Sequence, residues 1–282
     1  MIFWGMSFVW TSILLEYYQP VTIILIRLVI SSCFLFLLIF LLRIKININK
    51  RDLPLLFFSA LFNPFFYFLG ENYGLKYTTS TITSVIIATI PLFTPIAAWM
   101  VFRERLSWLN LTGIFVSFTG VLIMLMKTDF SLVVDPRGIL FLSGAVLSAI
   151  GYTVLLKKLI THYSPLFLIA SQNLIGVFLF LPLFLLYDVS QFVLVVPTTR
   201  IVTSFIFLSI LASSLSYVFF AKTVKMVGIS KANVFTNLIP VFTALFSYFI
   251  LTEYFTALKV TGILVVILGV LITELNFKTK NS

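Results

Sequence analysis

The chain has 282 residues, 61% hydrophobic and 10% charged, with a mean hydropathy of +1.15 and a net charge of +10. A soluble domain needs about 25% charged residues to coat its exterior, so this composition excludes a water-soluble globule and specifies an integral membrane protein. The basic residues sit between apolar runs, where they face lipid headgroups, and nucleic acid is discarded as a partner.

Uncharged runs such as Tyr77 to Phe102 and Tyr163 to Tyr187 are filled with Leu, Ile, Phe and Val without sustained alternation. That pattern fits spanning helices of about 20 residues and not the alternating segments of about 10 residues in an outer-membrane barrel. Ten spans are predicted, at 1–15, 20–42, 53–74, 79–102, 106–126, 138–156, 165–187, 201–221, 230–252 and 255–275. At a rise of 1.5 Å per residue the first covers about 22 Å of a hydrocarbon core about 30 Å thick, so either its start lies upstream or the helix is incomplete. Met1, Ile2, Phe3 and Trp4 supply no basic n-region, so no cleavable signal peptide is expected.

The second span opens at Pro20 and carries Arg27 about 10 Å below its outer start. It also holds Cys33, the one cysteine, which leaves no internal disulfide and no cysteine metal cluster to expect. In the third span Asn63, Tyr67, Gly70, Glu71 and Gly74 recur at spacings of three and four, a polar stripe on one helix face. Such a stripe either lines a cavity or bonds to neighbouring helices, and the cost of a carboxylate in the membrane favours the cavity. Arg27 and Glu71 are the clearly intramembrane base and acid, and they are expected to pair. That pair is either a static tie between two helices or a site where a substrate's charges, or a coupling proton on Glu71, are received.

Pro91 and Pro95 in the fourth span, with Pro240 at the matching place in the ninth, are predicted helix breaks, since each lacks a backbone donor and crowds the preceding turn. Gly113, Ser117 and Gly120 in the fifth span, mirrored by Gly262 and Gly269 in the tenth, put small residues on one face for close packing. The remaining polar positions are neutral. Tyr152 in the sixth span, Gln172 in the seventh, Ser213 and Tyr217 in the eighth, and Asn233 and Asn237 in the ninth offer donors and acceptors without charge. The expected cavity is therefore charged on its first-half side and neutral on the other. His162 is the one histidine and falls in a short basic loop, so no histidine metal site or catalytic dyad is expected. No phosphate-binding loop is present, and ATP-driven transport, cofactors and catalytic residues are not expected.

Loop charges set the orientation. The segments after even-numbered spans carry thirteen Lys and Arg and those after odd-numbered spans five, which places both termini in the cytoplasm. The chain also repeats itself: residues 75–124 slid by 149 positions match sixteen of fifty at 224–273, including Pro91 with Pro240, Glu104 with Glu253, Gly113 with Gly262 and Gly120 with Gly269. Pro20 and Pro165 open the second span of each half at a slightly different offset. Five spans per half is an odd number, so the second half enters the membrane from the opposite face, an inverted repeat.

Pro91, Leu92, Phe93, Thr94, Glu104, Arg105, Leu106, Gly113 and Gly120, with their second-half counterparts from Pro240 to Gly269, resemble the EamA-type members of the drug/metabolite transporter superfamily. Trp4, Gly5, Ser7, Pro20 and Arg27 look like that family's opening motif, while Glu253, Tyr254, Phe255 stand where Glu, Arg, Leu is usual. The resemblance implies an all-α, ten-helix secondary transporter of the bacterial inner membrane that moves small metabolites such as amino acids, often outward. The expected organisation is a first repeat over 1–126, an external linker over 127–137, a second repeat over 138–275 and a cytoplasmic tail over 276–282. The expected partners are a small-molecule substrate and the lipid bilayer, and a homodimer is left open. A translocator of lipid or lipid-linked sugar is the alternative the same fold allows, and a membrane-embedded transferase is a weaker one because no cluster of catalytic acids or histidines lies near an interface.

Overall fold

The computed structural model describes residues 1–44, 46, 48–94, 108–125, 134–227, 232 and 235–279, and every regular element among them is helical. Ten apolar helical stretches follow one another: α1 (Ile2–Leu15), α2 (Pro20–Leu41), α3 (Lys50–Tyr77), α4 (Ser80–Thr94), α5 (Trp108–Leu125), α6 (Pro136–His162), α7 (Pro165–Phe192), α8 (Thr199–Met226), α9 (Phe235–Leu251) and α10 (Ala257–Thr279). Each falls on a predicted span. Pro95, Glu104, Arg105, Lys127, Lys231, Asn233 and most of the expected linker lie outside the described residues.

The starts of the helices follow from their sequences. Pro20 and Pro165 occupy the first turn of α2 and α7, where a missing N–H costs nothing. Thr79, Ser164 and Thr198 cap α4, α7 and α8 by accepting from the N–H three residues on. Asp135 caps α6 and is gripped by the Arg137 guanidinium, which holds its carboxyl below the usual range. At the other end, α6 runs past its expected limit at Leu156 to His162, so the exposed Lys157 and Lys158 stand on the same helix that crosses the membrane.

The packing is a ten-helix bundle of two five-helix halves in which each half repeats the other. α2 packs on α7, α4 on α9 and α5 on α10, so equivalent helices pair. The mixed contacts come in exchanged sets: α3 with α6 is answered by α8 with α1, α1 with α9 by α6 with α4, and α2 with α8 by α7 with α3. A two-fold relation between the halves accounts for all of these, as the odd number of spans per half requires. The small-residue stripes do what their spacing predicts: a Cβ added to Gly120 would lie 2.6 Å from the backbone nitrogen of Val266 and 2.8 Å from the carbonyl of Gly262. α5 and α10 thus touch backbone to backbone.

Polar ties join helix ends lying on one side of the bundle. The Lys76 ammonium donates to Gln19 at 2.6 Å, Thr22 donates through N–H and hydroxyl to Asp188, both at 2.9 Å, and Arg137 lies over the Tyr77 ring. On the same side Glu253 accepts from the Thr81 hydroxyl at 2.9 Å and from Lys259 at 3.0 Å, closing α9 and α10 over the start of α4. The opposite side carries the tie of Asp52, at the start of α3, to the Tyr163 hydroxyl, 2.9 Å. Asp188, expected just beyond its span, is instead inside α7, buried as the cap of the α2 N-terminus, where Thr22 gives its carboxylate an orphan N–H and a hydroxyl.

Candidate functional site

The site begins with a break in α3. Pro64 has no N–H and crowds the turn before it, and the chain leaves α geometry at Asn63, with φ −141° and ψ 115°, inside a wide π turn over Leu61–Phe66. The Phe62 carbonyl accepts from the Ser148 hydroxyl of α6 at 2.7 Å. The same break sends the Asn63 amide to the Tyr217 hydroxyl of α8, 3.4 Å away. α8 has its own wide turn, Leu208–Ser216, at the equivalent place in the second half and without a proline. There Ser213, Ser214 and Ser216 donate to carbonyls five residues back, at 3.2, 2.8 and 2.9 Å.

Ser213 also anchors the one buried cation of the site. Its oxygen accepts from Arg27 Nε at 2.8 Å, and the guanidinium carbon stands 4.0 Å from the centre of the Phe68 ring. Arg27 is 2% exposed and Glu71 6%. Arg27 Nη1 lies 3.5 Å from Glu71 Oε1, an ion pair without hydrogen-bond geometry. Tyr67, one turn before Glu71 on the same helix, stands beside that carboxylate on the cavity wall. Deeper, Asn173 donates to the Ser31 hydroxyl at 2.7 Å, and Ser31 is bonded to Ser214 at 2.6 Å, so α2, α7 and α8 share one polar seam that holds Arg27 in place.

These groups face a cavity between the halves. The first half supplies Arg27, Asn63, Tyr67 and Glu71, and the second supplies Tyr152, Thr153, Tyr217 and Phe220. The charged groups are thus all on one wall. Trp4 of α1 closes a corner, its ring 5.1 Å from that of Tyr217 and 5.3 Å from that of Phe220.

The remaining wall comes from two interrupted helices. α4 loses its α geometry after Ile87 and resumes at Ile90, and α9 begins as a 3₁₀ turn, Phe235–Leu238, before its α-helix starts at Ile239. Ala88, Ile90 and Pro91 line the cavity from one and Thr236 and Ile239 from the other. The breaks precede the prolines. Pro91 sits in the first turn of the resumed α4 and Pro240 in the first turn of the α-helix of α9, where the absent N–H is one the helix would not use, so each starts a helical segment.

Of the residues singled out by sequence, Arg27, Asn63, Tyr67, Glu71, Tyr152, Tyr217 and Pro91 are brought together on the cavity wall. Gln172 is not on it: it accepts from the Tyr152 hydroxyl at 3.1 Å and donates to Ser59 at 3.0 Å, fixing Tyr152 from outside the cavity. Asn237 is buried beside the lining residue Thr236, does not line the cavity, and has neither side-chain polar atom hydrogen-bonded. Asn233 and Pro95 lie outside the described residues. Sequence reasoning missed Pro64 as a break and Trp4, Phe8, Phe68 and Phe220 as lining. Phe68 stands one turn from Glu71 and Phe220 one turn from Tyr217, and that register was the available signal.

The sequence profile of the EamA-like transporter family matches residues 1–126 and 136–275. Two uncharacterized transporters of Archaeoglobus fulgidus are similar over nearly the whole chain. One is 26% identical, covering 96% of this chain and 94% of its own, and the other 28%, covering 97% and 94%. The uncharacterized transporter YetK of Bacillus subtilis is 26% identical, with 91% of this chain and 78% of YetK covered. A protein of solved crystal structure superposes with a TM-score of 0.72 over 97% of each chain at 14% identity, a likeness of fold alone.

Proposed function

The chain belongs to the EamA-like transporter family, and from that premise we propose that this membrane transporter is a secondary exporter of small metabolites such as amino acids, working by alternating access. The observation that carries the proposal is the cavity itself. It lies between two halves related by exchange, is walled by both, and receives Arg27 and Glu71 from one side only. Inverted halves can exchange conformations about a site held between them, so a solute bound there meets first one side of the membrane and then the other. Breaks in α3, α4, α8 and α9 beside the cavity support the same reading, since irregular backbone in a membrane is tolerated where it lines a cavity or is buried in protein.

The charge pattern supports the solute class. A buried cation within one apolar, aromatic cavity suits a solute that carries a carboxylate, as an amino acid does, with Tyr152, Tyr217 and Asn63 as neutral partners for its polar groups. The bias of the loop charges supports both termini in the cytoplasm, and on that reading the side tied by Glu253, Asp188 and Lys76 is the outer one. The test is efflux from proteoliposomes loaded in turn with radiolabelled amino acids, nucleosides and cationic drugs. Amino acids should leave faster than from protein-free vesicles, and Tyr217→Ala should reduce that rate at equal incorporation. Equal rates for every solute with and without protein would contradict the reading.

A further inference from the structure

The state of Arg27 narrows the ligand, an argument that rests on the transport reading of the cavity. A guanidinium has five N–H donors and no acceptor, so its satisfaction can be followed atom by atom. Nε is taken by Ser213, and the guanidinium lies on Phe68. Nη1 is different: it is buried, belongs to a residue on the cavity wall, and has no hydrogen-bond partner. Glu71 stands 3.5 Å from it, near enough to neutralise charge and outside hydrogen-bond geometry. The site therefore holds a fixed, charged donor that is ion-paired with its own carboxylate but not hydrogen-bonded to it. A planar oxyanion is the group that matches a guanidinium nitrogen left without a hydrogen bond. Around Arg27 the cavity is apolar and aromatic, with Trp4, Phe8 and Phe220 on its walls.

We propose that the cavity binds an amphipathic carboxylate, with its oxyanion on Arg27 Nη1 and its apolar body among Trp4, Phe8 and Phe220, and that Glu71 takes up a proton as this ligand binds. The proton follows from the geometry. Once the ligand's carboxylate occupies the guanidinium, Glu71 loses part of its counter-charge and gains a like charge beside it, and two carboxylates sharing one cation favour protonation of one of them. The proton comes from the aqueous phase at the mouth and joins a Glu71 carboxylate oxygen, and no other bond is made or broken. The titratable and charged groups facing Glu71 are Arg27 from α2, Tyr67 from α3 itself and Tyr217 from α8, with Tyr152 of α6 beyond. An arginine stays charged and a tyrosine ordinarily titrates near 10, so Glu71 is the proton acceptor among them. Ligand and proton then occupy the cavity together with no net change in its charge.

The experiment uses the full-length protein in detergent at pH 7 in weak buffer. Two probes are titrated in, 3-phenylpropionate and its neutral isostere 3-phenylpropanamide, with heat and a pH-indicator dye read together. The acid should bind at least about tenfold more tightly than the amide and draw close to one proton per site from solution. Glu71→Gln should still bind the acid and draw none, and Arg27→Lys, which keeps the charge and loses the flat edge, should weaken the acid far more than the amide. Equal binding of the two probes, binding of neither, or acid binding without proton uptake would overturn the proposal. The wild-type comparison needs no variant, so it decides the matter even if a substituted protein does not fold. Acid-selective binding with proton uptake in a protein that moves no solute across vesicles would leave this site standing and sink the transport reading. Transport without any preference for the acid would do the reverse.

Discussion

Arg27 and Glu71 are the residues on which fold and function are hardest to separate, because the same two charges tie α2 to α3 and face the cavity. Their energetics give a way to separate them. Neutralising one partner strands the other as a buried charge, so Arg27→Gln or Glu71→Gln should each cost about 3–5 kcal/mol of stability, seen as a large drop in thermal unfolding temperature in detergent. The double substitution should recover much of that loss, since no unpaired charge remains. The account predicts a stable double variant that does not transport, and a stable, active one would assign the pair to structure alone. The pair was readable in the sequence because a charge inside an apolar run has few reasons to be there. The neutral residues were not so readable. Gln172 and Tyr152 look alike as polar positions in apolar helices, yet one lines the cavity and the other only holds its neighbour, and nothing local to either residue distinguishes them.

The helix breaks are the elements that shape the site, and each was legible to a different degree. Pro91 marks where α4 resumes and Pro240 where the α-helix of α9 starts, and their match across the repeat made them visible. The break in α3 has an equally plain signal in Pro64, whereas the wide turn in α8 has no proline and rests on serine hydroxyls bonding carbonyls five residues back. If these helical segments move during transport, Pro91→Ala and Pro240→Ala should fold and slow the transport rate, because alanine loosens the backbone angle that proline fixes at each segment's first turn. Unchanged rates in both at equal expression would make the breaks static. The α5–α10 contact answers to a different test. A side chain at Gly120 would meet the backbone of α10, so Gly120→Val should cost about 1–3 kcal/mol in thermal unfolding, while the same change at Gly144, where a Cβ meets nothing, should cost far less.

At the scale of the molecule, hydropathy and a repeat anchored by Pro91, Glu104, Gly113 and Gly120 were enough to anticipate ten helices in two related halves, because lipid leaves few alternatives for an apolar chain. The pairing of α2 with α7 and α5 with α10 was not readable, since apolar faces of similar composition do not name their partners. Orientation is checked by single cysteines in a Cys33→Ser background. One at Ile48 should react with impermeant thiol reagent from inside, and one at Val196, 80% exposed, from outside. Labelling of the Ile48 position from outside intact cells would reverse the orientation. The central claim, that one cavity between the halves opens in turn to each side, is tested most directly by a cysteine at Thr153, which lines the cavity from α6. In oriented proteoliposomes the Thr153→Cys protein should react with membrane-impermeant reagent applied to either face, and a transported solute should slow both reactions. Reaction from one face alone, unaffected by solute, would contradict alternating access at this cavity.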